Sequence, residues 1–142
     1  ASVAEVWIFF SDPWPKNRYH KRRLIQPEFL DRVARVLAVG GVLRLATDWS
    51  HYAAQMRDTA ESHPAFENLF AGRNAGKHSP LTLARLHGTD DGVKMPFAEA
   101  LDSQGGWAPR FDTRPVTSFE AKAQRAGRHI FDLAYRRTTP RV

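Results

Sequence analysis

The sequence predicts an α/β fold: a mostly parallel sheet with flanking helices and an antiparallel edge strand. Three observations lead there. The first is the apolar run Val6-Trp7-Ile8-Phe9-Phe10, which stops at Ser11-Asp12-Pro13-Trp14-Pro15. A short continuous apolar run closed by a turn signal reads as a strand buried on both faces. The second is the change of period that follows. Leu30, Val33, Ala34 and Leu37 keep helical spacing, and Val42 to Thr47 then reads as a strand, which makes a strand-helix-strand unit with its two strands parallel. The third is the closing stretch from Arg128 to Arg137, where Phe131, Leu133 and Tyr135 alternate with Asp132 and Ala134. That period of two predicts a terminal strand, here an antiparallel one at the sheet edge.

The elements follow in order. Two prolines after the first strand remove backbone donors and force an irregular exit from the sheet. Asp12 thereby lies just beyond a strand's carboxyl end, where open α/β sheets place their ligands. Lys16, Arg18, Lys21, Arg22 and Arg23 then supply five fixed positive charges beside His20. Gln26-Pro27-Glu28 opens the helix, with proline suited to its first turn, and Gly40-Gly41 is read as its stop. Parallel strands point the same way, so Asp48, just past the second strand, should share one sheet edge with Asp12.

Ser50 reads as the N-cap of a helix running to about Ser62, with Ala53, Met56 and Ala60 inward. Tyr52 is either a buried helix tyrosine or a base-stacking ring. Phe66 to Phe70 reads as a short strand. Residues 71 to 112 exceed an ordinary connection and carry one weak helical stretch, Leu81 to Leu86, so they read as an insertion or flexible loop. His78, His87, Asp90 and Asp91 there fit no metal-ligand spacing. Thr117-Ser118-Phe119-Glu120 has the form of a capping box, opening a helix through about Arg125.

Composition narrows the partners. The 142 residues make one domain, 1–142, with 42% hydrophobic residues for a core and a net charge of +6 that favours a polyanion. Nucleic acid leads over membrane, since no basic amphipathic helix and no run of membrane-spanning length stands out. The absence of cysteine excludes disulfides and thiolate metal sites and is compatible with the cytoplasm.

The stretch FFSDPWPKNRYHKRRLIQPEFL resembles the signature of the bacterial tRNA (guanine-N7-)-methyltransferases. Ala46-Thr47-Asp48-Trp49 with Tyr52, then Arg114-Pro115-Val116-Thr117-Ser118-Phe119-Glu120, and finally Arg125, Gly127 and Asp132-Leu133 match that family's later motifs in order. The likeness spans the chain except about residues 71 to 112. It implies the C-terminal part of a Rossmann-like class I fold that transfers methyl from S-adenosylmethionine to N7 of a tRNA variable-loop guanine. It further implies Asp12 as the active-site carboxylate beside the cofactor's methionine end. Lys16 and Asp48 would contact substrate, Thr117, Ser118, Phe119 and Glu120 would hold the target nucleotide, and Arg18, Tyr19, His20, Lys21, Arg22 and Arg23 would lie along the RNA.

Two positions depart from the family pattern: Ala123 replaces a glycine and Arg128 a usual histidine, altering a turn or adding a phosphate contact. A glycine-rich strand-turn-helix for the cofactor is not found in the chain. The chain is therefore read as part of a longer enzyme, inactive when isolated, with its first strand an unpaired hydrophobic edge. The alternatives are a non-catalytic tRNA-binding fragment, or a metal-dependent nuclease or hydrolase using Asp12 and Asp48. Dependence on Mg²⁺ would mark the latter, whereas the methyl transfer is expected to need no metal.

Overall fold

A computed structural model describes residues 2–139. Four strands form a single mixed sheet in the order β1-β2-β4-β3: β1 (Val3–Phe9), β2 (Leu37–Thr47), β3 (Phe66–Asn68) and β4 (Phe131–Arg137). The helices are α1 (Pro27–Val36), α2 (Ser50–Glu61), α3 (Pro80–His87), α4 (Phe97–Ala100) and α5 (Ser118–Arg125), with a 3-10 turn at Asn17–Arg22.

The α/β class stands, but the sheet is not mostly parallel. Only β1 and β2 are parallel; β4 runs antiparallel to both β2 and β3. Nor is β4 at the edge. It is antiparallel as expected, but β3 covers its outer side, so Phe131 through Tyr135 are all buried despite the alternating sequence. The edges are β3 and β1. The apolar run of β1 is not buried on both faces, since Trp7 is 47% exposed. Of that strand the sequence also predicts an unpaired hydrophobic edge, which is what it presents.

The Gly40-Gly41 stop is also revised. The helix ends at Val36, four residues before Gly40, and the glycines lie inside β2. Pairing jumps from Val3–Leu37 to Glu5–Val42, a bulge on the β2 side. Gly40 takes φ +86° there, and a Cβ on Gly41 would sit 2.8 Å from the Ala4 carbonyl oxygen. Glycine serves this bulge rather than a helix cap.

The two sheet faces differ. On one, Leu43, Leu45, Leu133 and Tyr135 join Leu30 and Val33 of α1 and Ala53, Met56 and Ala60 of α2 in the apolar core. On the other, Trp7 and Phe9 pack against Phe111, and Arg114 approaches both Phe9 and the carboxylate of Asp132. Residues 71–112 are folded. Asp102, 3% exposed, accepts from Arg57 of α2 (2.9 Å), Ser79 (2.7 Å) and Trp107 (2.9 Å), which fastens the segment to α2. Burial alone would raise the Asp102 carboxyl, yet these donors outweigh it and hold it below its ordinary range. No helix among the described residues is long and apolar enough to cross a membrane.

Candidate active site

Because β1 and β2 are parallel and end together at Phe9–Ala46, Asp12 and Asp48 follow the carboxyl ends of neighbouring strands. They share one edge, as the sequence predicts. Phe10 (φ +57°) and Trp14 (φ +40°) occupy the left-handed region on either side of Asp12. Two bulky residues held there within five positions mark stored backbone strain of the kind that clusters at functional sites. The Asp12 carboxylate accepts one bond, from the Trp14 amide at 2.9 Å, and is otherwise exposed to solvent.

Beyond it the 3-10 turn spreads the basic cluster. Three residues per turn eclipse positions i and i+3, so Arg22 lies over Tyr19 (4.9 Å) and also reaches Trp14 (5.2 Å), while Arg18 flanks Tyr19 at 4.8 Å. Lys16, Arg18, Lys21 and Arg22 are exposed, and no carboxylate among the described residues pairs with them. Cations interleaved with aromatic faces form a surface suited to a phosphate chain and stacked bases. His20 is half-buried, bonded to the Pro15 carbonyl at 3.0 Å, and its ring lies 4.7 Å from His51.

Arg23 does not share that surface. It is 2% exposed and lies over the Tyr52 ring. Its guanidinium donates to the Pro13 carbonyl, to His51 Nδ1 at 2.9 Å and to Gln55 at 3.2 Å. Tyr52 is fully buried and is therefore a core residue here, not a stacking platform; its hydroxyl meets Ser11 at 3.1 Å and the Ile25 amide at 3.2 Å. Gln55 donates to the Ile25 carbonyl at 2.8 Å. The first two turns of α2 thus hold both ends of the loop that carries Asp12. The N-cap of α2 is Trp49 rather than Ser50, and the Ser50 hydroxyl bonds Asp90 instead.

Asp48 is paired: Arg128 Nε lies 2.9 Å from its Oδ2. Thr117 caps α5 by accepting from the Glu120 amide at 3.3 Å, so half of the capping box forms. The Glu120 side chain does not reach back. It is fully buried and accepts from Arg110 (2.8 Å) and Arg114 (2.9 Å). Burial would raise its carboxyl, but the two guanidiniums hold it below its ordinary range. Thr117, Ser118 and Phe119 remain exposed, Phe119 at 72%. The roles of Arg23, Arg110 and Arg114 were missed from sequence. Their partners lie ten or more positions away in all but one of these contacts, and no local pattern announces them.

Comparison with known proteins adds a second line. The family described as "Putative methyltransferase" matches residues 1–86. Curated proteins named tRNA (guanine-N(7)-)-methyltransferase are similar along most of the chain. One from Paenarthrobacter aurescens is 47% identical over 96% of this chain and 50% of its own length. One from an Arthrobacter species is 50% identical over 96% and 47%, and one from Streptomyces coelicolor is 40% identical over 96% and 38%. The chain spans about half the length of these relatives, or less.

Proposed function

The chain belongs to the putative methyltransferase family, and from that premise we propose that it is the substrate-handling part of a tRNA (guanine-N7-)-methyltransferase on a Rossmann-like scaffold. One observation carries the reading. Two acidic strand ends share an edge beside a surface of unpaired cations and aromatic rings.

Guanine N7 is an acceptor that carries no proton, so its methylation requires no general base. The residues must instead hold N7 in line with the incoming methyl group, which is catalysis by positioning. S-adenosylmethionine, when bound, supplies that methyl group on a sulfonium. Asp12 would hold its methionine end: the carboxylate is exposed at a strand end with a single backbone partner, a setting fit for a cationic ligand. A fixed carboxylate there also stabilises positive charge as it moves onto the base.

Asp48 and Lys16 contact the target guanine and its backbone. The Watson–Crick edge of guanine offers two adjacent donors that a carboxylate accepts together. Adenine lacks that donor pair and would leave Asp48 to Arg128 alone, so it forgoes the hydrogen bonds that select guanine. Arg18, Tyr19, His20, Lys21 and Arg22 run along the RNA. Thr117, Ser118 and Phe119 face the nucleotide, and Glu120 anchors them through Arg110 and Arg114. Asp12→Asn in the intact protein tests this directly. Methyl transfer to tRNA should fall about 100-fold or more with tRNA affinity retained. Undiminished transfer refutes the assignment, and an intact protein that never methylates tRNA refutes the function.

A further inference from the structure

On the β4 side of Asp48 the surface opens into a groove of about 480 Å³. One wall is the turn after β3, with Arg73, Asn74 and His78; the other is the approach to β4, with Arg128 and His129. The two carboxylates that border it are already matched. Glu120 accepts from Arg110 and Arg114, and Asp132 from Arg114. The charge left over is therefore positive. Arg73 gives one N–H to the Trp107 carbonyl at 2.9 Å; it is exposed and has no carboxylate partner among the described residues. His78 is exposed beside it.

Arg128 belongs to both places. It lines the groove, and its Nε is 2.9 Å from Asp48. The sheet order β1-β2-β4 sets Asp12, Asp48 and the groove side by side along one edge. The sugar-phosphate chain of a nucleotide whose base reaches Asp48 continues in two directions: one past Asp12 toward the basic turn at Asn17–Arg22, the other away from it. The groove lies in the second direction.

We propose that this groove binds the RNA phosphodiester adjoining the target nucleotide, with Arg73 and His78 as contacts contributed by the 71–112 segment and Arg128 as the link to Asp48. The inference rests on the functional reading above and extends it to a segment that no motif covers. An exposed guanidinium matches a phosphate's paired oxygens, and release of the counterion makes each such contact visible as salt dependence.

The test is the dependence of tRNA affinity on salt concentration, measured on the intact protein. R73Q combined with H78Q should weaken binding several-fold and lower the magnitude of the log–log salt slope by about 1. R73K should restore most of that slope, and both proteins should keep the wild-type unfolding midpoint. H78Q alone, a change at an exposed side chain, should weaken tRNA binding without moving the slope, a readout that stands should Arg73 prove needed for folding, and unchanged affinity in H78Q overturns the His78 contact. A slope unchanged in R73Q/H78Q overturns the proposal. So does a change confined to S-adenosylmethionine affinity, since the groove would then hold the cofactor's carboxylate. Wild-type protein that binds no tRNA removes the functional reading itself, whereas wild-type binding with an unchanged variant slope removes only the groove.

Discussion

Two irregular segments hang from α2, and each is held by a buried arginine lying over an aromatic ring. In the loop from Ser11 to Ile25 the loop supplies Arg23 and the helix supplies Tyr52, 4.9 Å apart. In the 71–112 segment the helix supplies Arg57 and the segment supplies Trp107, also 4.9 Å apart. The difference lies in charge. Arg57 faces the Asp102 carboxylate, itself bonded to Ser79 and Trp107. Arg23 meets only neutral acceptors, and its Nη2 has no partner among the described residues. A buried cation without a counter-ion is the weaker fastening. The stiff joint supports a wall; the looser one carries the strained loop with Asp12.

The largest expected effect breaks the stiff joint. Asp102→Ala leaves Arg57 buried and uncompensated, and should cost about 3–5 kcal/mol in denaturant unfolding. A loss below 1 kcal/mol would show that the two joints do not differ as described. Next comes Arg23→Met, which removes hydrogen bonds to the Pro13 carbonyl, His51 and Gln55. It should cost about 1–3 kcal/mol. Its effect on turnover should be larger, since a misplaced Asp12 loop can lower kcat on the order of 100-fold. The salt slope of tRNA binding should not move, because Arg23 is no phosphate contact; a slope reduced by about 1 would return it to the RNA surface.

The smallest effect is set by acidity. Burial first, then Arg23 and His20, draw His51 below its ordinary pKa of 6.5, so the folded protein favours the neutral ring. A lowered pKa gives stability that is complete above the ordinary value and lost as pH falls through the folded one. Amide protection factors in residues 11–25, which take out the intrinsic pH dependence of exchange, should therefore fall as pH drops below the ordinary imidazole value. Residues 71–112 should hold until far stronger acid, since Asp102 is ionised below its ordinary range. An equal loss of protection in both would erase the contrast.

What the sequence made legible follows from what is local. The strand ends of Asp12 and Asp48, the stripe of α1 and the Thr117 cap depend on neighbours within one turn, and each appears where periodicity puts it. The bulge at Gly40-Gly41 was not legible, because it answers to the Ala4 carbonyl on another strand. The place of β4 was not legible either, since a three-residue strand far upstream decides whether it lies inside or outside. Within the site, the basic run reads as surface until Tyr52 and Gln55 are folded against Arg23. Glu120 reads as a free acid until Arg110 and Arg114 close on it.

The contact between Arg128 and Asp48 has one further meaning. A histidine in that place would discharge near neutrality and leave the aspartate alone. Arg128 instead gives its Nε–H to Asp48, so the acid that we propose reads guanine keeps a partner of its own, and a base arriving there must displace that contact.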